Sequence, residues 1–137
     1  MKLKSLLLGL GFSLCSTVFA ANHHSHPQDD TKQVASAASG MTWPAYCEIE
    51  VINRSYDDVT VSGIFDDGLS MQPFNVYSFE ASHYISLYYY GYCHAGMDLY
   101  INTFYGDYVY SGYTPVNRTI RIVPYLTKQL KAEVTTK

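Results

Sequence analysis

The chain has 137 residues, 47% hydrophobic, 15% aromatic and 15% charged, with a formal net charge of −3. That length supports one domain with its own core, and the apolar content excludes a chain that is unfolded throughout. The acidic balance argues against nucleic acid as a partner, because phosphate binding needs a basic face.

Residues 1–20 read as a secretory signal peptide. Lys2 and Lys4 make a positive start, and Leu6 to Leu14 is an apolar run broken by Gly9, Gly11 and Ser13. Val18-Phe19-Ala20 offers cleavage after Ala20. The run is shorter than the roughly 20 residues of a membrane span, and no later segment is apolar enough, so no membrane span is expected in the mature chain. A lipoprotein reading at Cys15 lacks the small residue expected just before the cysteine, where Leu14 stands. Removing Lys2 and Lys4 lowers the basic residues from nine to seven against twelve acidic ones, a mature net charge of −5. The expected location is secreted or periplasmic, and the Lys-Leu-Lys start has a bacterial character.

Residues 21–40 hold no aromatic residue and one β-branched aliphatic, Val34. They bury too little apolar surface to offset ordering entropy, which predicts a flexible, histidine-bearing tail. Cleavage after Ala20 would start the mature chain Ala21-Asn22-His23. A free amine, two backbone amides and the third-position imidazole then make a square-planar nitrogen set suited to Cu(II) or Ni(II), with His24 and His26 adding imidazoles nearby. A solvated spacer is the competing reading.

Residues 41–127 are expected to form the domain. Cys47, Ile49 and Val51 alternate with Glu48 and Glu50, and Val59, Val61 and Phe65 alternate with Thr60 and Ser62, the mark of half-buried strands. Gly63 suggests a bulge or a close approach. Asp66-Asp67-Gly68 is a hairpin turn signal. Strand character resumes from Leu69 to Phe79, with Pro73 marking an edge or a break. Ile85, Leu87 and Tyr89 alternate with Ser86, Tyr88 and Tyr90, and Gly91 to Gly96 reads as a loop. Met97, Leu99 and Ile101 alternate with Asp98, Tyr100 and Asn102. Gly106-Asp107 is a turn, Tyr108-Val109-Tyr110 a strand, Ser111 to Asn117 a loop, and Ile120 with Ile122 the last strand. Lys128 to Lys137 is expected to fray as a polar tail. The fold class is therefore all-β: a small antiparallel β-sandwich of six or seven short strands with one disulfide. An immunoglobulin-like arrangement is one form of it and a small barrel the alternative. The immunoglobulin signature itself is absent, since Trp43 precedes Cys47 and Gly91 stands two residues before Cys93.

Cys47 and Cys93 remain after export and are expected to pair; in an immunoglobulin-like arrangement such a bridge could pin the two sheets. The fourteen tyrosines, all between Tyr46 and Tyr125, are the outlying composition. With Ile85 and Leu87 facing inward, Tyr84, Tyr88 and Tyr90 face outward. With Leu99 and Ile101 inward, Tyr100 and Phe104 do the same. Paired as a hairpin, these strands would form one aromatic band suited to a protein or glycan partner. Packing in a second core layer is the competing reading. The acidic turns Asp57-Asp58 and Asp66-Asp67-Gly68 lack the repeated spacing of a calcium loop. His83 and His94 are the only histidines inside the domain, and Glu48, Glu50 and Glu80 have no catalytic spacing. No nucleophile-elbow, zinc or phosphate-loop motif is present. The reading is a non-enzymatic binding module, with metal handling and a hydrolase of unrecognised site as alternatives. Asn53-Arg54-Ser55 and Asn117-Arg118-Thr119 match the glycosylation acceptor pattern.

Overall fold

A computed structural model describes residues 22–28 and 47–137. The signal-peptide reading, Ala21, Trp43 and most of the expected tail lie outside the described residues. The described chain is all-β and contains eleven strands. They are β1 (His23–His24), β2 (Glu48–Asn53), β3 (Val59–Phe65), β4 (Phe74–Val76), β5 (His83–Ser86), β6 (Tyr88–Tyr89), β7 (Tyr92–Cys93), β8 (Gly96–Thr103), β9 (Tyr108–Pro115), β10 (Arg118–Tyr125) and β11 (Gln129–Thr136). No helix among the described residues is long and apolar enough to cross a membrane.

Two sheets carry the core. One has the order β1-β5-β2-β10-β11, the other β4-β3-β8-β9, and β6 and β7 form a separate hairpin. Most pairs are antiparallel; β2 with β10 and β1 with β5 are parallel. The period of two explains the layering. Ile49, Val51, Ile85, Ile120 and Ile122 of the first sheet pack with Val59, Val61, Phe65, Leu99 and Ile101 of the second in one buried cluster. Alternate residues such as Glu48, Glu50, Tyr84 and Tyr100 are left toward solvent. Gly63 is a close approach and not a bulge. Its register with Leu99 is continuous, and a Cβ there would sit 2.6 Å from the Asp98 carbonyl oxygen. The Asp66-Asp67-Gly68 turn closes as expected, with Gly68 at φ 88° and its N–H donating to the Phe65 carbonyl at 2.8 Å.

Four expectations need correction. The count of six or seven strands missed the short pairings β1, β6 and β7 and the strand β11. Residues 128–137 do not fray: β11 pairs with β10 over eight positions, from Arg118–Thr136 to Tyr125–Gln129. Leu130 and Ala132 pack against the core. Ser111 to Pro115, read as loop, continues β9 against β8. Residues 22–28, expected to be flexible, lie on the sandwich through β1 and a fully buried His26. Cys47 and Cys93 are bonded, but the bridge ties the start of β2 to the β6–β7 hairpin instead of pinning the two sheets to each other.

Candidate functional site

The strand directions sort the loops to two ends of the sandwich. At one end the β2–β3, β4–β5 and β8–β9 loops meet. Asn53 anchors them. It is fully buried, its Nδ2 donates to the carbonyls of Asp57 (2.8 Å) and Val76 (3.1 Å), and its Oδ1 accepts from the Ser55 N–H and Oγ. The loops are then laced together. Phe79 N–H donates to the Asn53 carbonyl, Phe104 N–H to the Asp58 carbonyl, Ser78 N–H to Asp58 Oδ1 at 2.8 Å, and Ser78 Oγ to the Ser55 carbonyl.

This rigid base presents bare rings. Tyr56 is 81% exposed and Tyr105 88%, with Tyr77, Phe79, Phe104 and Tyr108 also exposed. Tyr56 and Phe79 meet edge to face at 5.7 Å, and Tyr77 and Phe104 at 6.1 Å. An edge-to-face pair holds its rings in place while leaving their outer faces to solvent.

The opposite end is built from rings that are tied down. His26, Tyr89, His94 and Tyr92 form one stack, with centroid spacings of 4.1, 3.5 and 4.0 Å. The Gln28 N–H donates to His26 Nδ1 at 3.1 Å, so His26 Nε2 carries the proton and donates to Asp67 Oδ2 at 2.7 Å. Tyr90 donates to the same oxygen at 2.9 Å, and Leu69 N–H bonds Asp67 Oδ1. Desolvation pushes the Asp67 carboxyl up, but the bonds from Leu69, Tyr90 and His26 outweigh it and hold it below its ordinary value. Burial, with the charges of Asp67 and Asp66, pushes the Tyr89 phenol up to about 12. Its hydroxyl is buried with no hydrogen-bond partner among the described residues. Tyr113 donates to Asp66 Oδ2; burial and then Asp66 raise its phenol.

The aromatic residues expected to share a face are divided. Ile85, Leu87, Leu99 and Ile101 do face inward, but the strands bearing Tyr84 and Tyr100 do not pair. β5 pairs with β1 and β2, and β8 with β3 and β9. Tyr84 therefore lies on the outer face of one sheet, stacked on His23 at 5.2 Å with Lys137 Nζ 4.9 Å from its ring. Tyr100 lies on the other sheet. Tyr88 packs partly against the core and donates to the Gly91 carbonyl. Tyr90 belongs to the tied end. Only Phe104 sits among the bare rings. Tyr56 and Tyr105 were passed over because strand periodicity is blind to loops; Tyr77, Phe79 and Tyr108 were read as strand positions, although Tyr77 and Phe79 lie in the β4–β5 loop. The usable signal was aromatic residues beside turn-forming Asp-Asp and Gly-Asp pairs.

The three histidines considered for metal diverge. His23 is exposed on the outer face. His24 turns inward, its ring on Phe74 (3.4 Å between centroids) and its Nε2 2.8 Å from Nδ1 of His83; His83 Nε2 bonds Glu80. Burial first, then His83 and His23, lower the His24 imidazole to about 4. His26 is spent on Asp67. No group of three metal-ligating side chains converges among the described residues. The amino-terminal copper set depends on Ala21, outside them.

No family model, curated protein or solved structure matches the chain.

Proposed function

We propose that the protein is an exported, non-enzymatic recognition module that captures a protein or glycan partner with its aromatic loop end. One observation carries this reading: five exposed rings from three loops, with Tyr108 at the start of β9, stand on a hydrogen-bonded base at one end of the sandwich. Exposed aromatic side chains are costly in water and supply large contact area with few rotamers to freeze. Tyrosine hydroxyls add hydrogen bonds. Loops on a rigid scaffold are the usual place for such a site. The Cys47–Cys93 bond supports an oxidising compartment.

The test is the immobilised chain carrying Tyr56→Ala and Tyr105→Ala, compared with wild type on an envelope-protein fraction and on a glycan array. Both side chains are free of the core, so the melting midpoint should stay within about 2 °C. Binding should fall at least tenfold, as hot-spot aromatic residues do. The array that responds assigns the partner class. Unchanged binding in the double variant removes the loop end as the site.

A further inference from the structure

Residues 22–28 are held less by backbone than by side chains. The ladder with β5 has two positions, His23 opposite Tyr84 and His24 opposite Ile85, with the Tyr84 N–H donating to the Asn22 carbonyl at 2.8 Å. So short a pairing is marginal in water by itself. The hold comes from His24 against Phe74 and His83, and from His26 between Tyr89, Phe65 and Asp67. Among the described residues, the side chains that grip the two rings from outside the strap belong to residues 65–90.

That joining chain is residues 29–46, eighteen residues from Gln28 to Cys47. Eighteen residues reach at most about 60 Å. A body of residues 47–137 is roughly 30 Å across, from the radius expected for its length. The tether therefore reaches the groove of an adjacent copy as well as its own. The contacts between residues 22–28 and residues 65–90 can form in either case, so local concentration decides between them.

We propose that the groove along β5 is an exchangeable receptor that takes residues 22–28 of a second copy, linking copies of this chain wherever they are crowded. A tether of this length gives its own strap a local concentration of about 1 mM. Own-strap closure therefore dominates at micromolar protein, and exchange becomes comparable near millimolar. This inference does not depend on the aromatic loop end.

The test uses two full chains, one with His23→Cys and one with Tyr84→Cys. These positions are opposite in the β1–β5 register, and both side chains lie on the outer face, so neither change opens the core. The mixture is treated with a short thiol-specific cross-linker at 10 μM and at 1 mM. A second mixture, His23→Cys with Ser111→Cys on the other sheet, measures chance collision. We expect the cross-linked heterodimer of the register pair to exceed the chance pair at least fivefold at 1 mM, and to fall to its level at 10 μM. Equal yields of the two mixtures at 1 mM would overturn the proposal. Adding His26→Ala to the His23→Cys chain should abolish the excess; an excess that survives would also overturn it, since the strap would be reaching Tyr84 without the groove.

Discussion

The two ends of the sandwich use the same amino acids differently. At the tied end, Tyr89, Tyr90, Tyr92 and Tyr113 are stacked on histidines or bonded to Asp66 and Asp67, and the disulfide fixes the hairpin that carries three of them. At the loop end, polar atoms of Asn53, Ser55, Asp58 and Ser78 hold the backbone, and the exposed rings meet one another edge to face or stand in solvent, with the Tyr108 hydroxyl accepting from the Ser111 N–H. A tyrosine count does not separate these roles. What separates them is what the nearby acids and imidazoles bond: at the tied end they meet the rings and hydroxyls, whereas at the loop end Asp58 and Glu80 accept from backbone N–H groups.

The sharpest way to break this contrast is at the disulfide. Replacing Cys47 and Cys93 by Ser should lower stability by about 4 kcal/mol, the chain-entropy cost of releasing a loop of 46 residues, read as a shift in denaturant midpoint with unchanged slope. The same change should leave partner capture by the loop end intact in whatever fraction stays folded.

Asn53→Ala attacks the other end from beneath. It removes four hydrogen bonds at a buried position and strands their partners, at a cost of about 2–3 kcal/mol. Unlike the ring substitutions, it should weaken stability and capture together. A loss of stability with capture unchanged would show that the loops do not need their base.

Acid sharpens the comparison at the strap. The docked His24 titrates near 4, below its ordinary 6.5, so the released strap binds a proton that the docked strap refuses. Docking is therefore complete above about pH 6.5 and weakens as the pH falls toward 4. Solvent screening of a half-buried ring limits the effect to about tenfold at pH 4.5. Hydrogen exchange of the Tyr84 amide, corrected for intrinsic rate, should report it while the β3 and β8 amides stay protected.

The smallest effect is a gain. Tyr89→Phe removes a buried hydroxyl that has no hydrogen-bond partner among the described residues and keeps the ring stack, and should raise stability by about 1 kcal/mol. A loss would mean that the hydroxyl bonds something, and would tie that end more tightly than described.

The core was legible because burial has a period. Ile49 and Val51, Val59 and Val61, Ile85 and Leu87, Leu99 and Ile101, and Ile120 and Ile122 all face inward as their alternation requires. Pairing partners were not legible, because alternation states which side a residue faces and not which strand lies beside it. That is how Tyr84 and Tyr100 came to be expected on one face. β11 was hidden by its charge, although Leu130, Ala132 and Val134 already alternate with Lys131, Glu133 and Thr135. The strap was hidden because histidine counts as polar in a composition argument, whereas its neutral ring stacks on Phe74 and Tyr89 as an apolar one does. The acceptor pattern at Asn53 records side-chain identity alone; in the fold that amide is buried and donates to two carbonyls.

The parallel register of β2 with β10 sets Glu50 beside Thr119 and Val51 beside Ile120. The central strand of the larger sheet thus closes against a segment about seventy residues later. Contacts that distant in sequence must offset a large loop-closure entropy before they stabilise anything, and topologies of this kind fold in milliseconds to seconds. A chain emerging from its amino terminus can form the β3–β4 hairpin and the β2–β5 pair early. β2 keeps one bare edge until β10 emerges. The interval in which this molecule is most open to misassembly is therefore the last part of its synthesis.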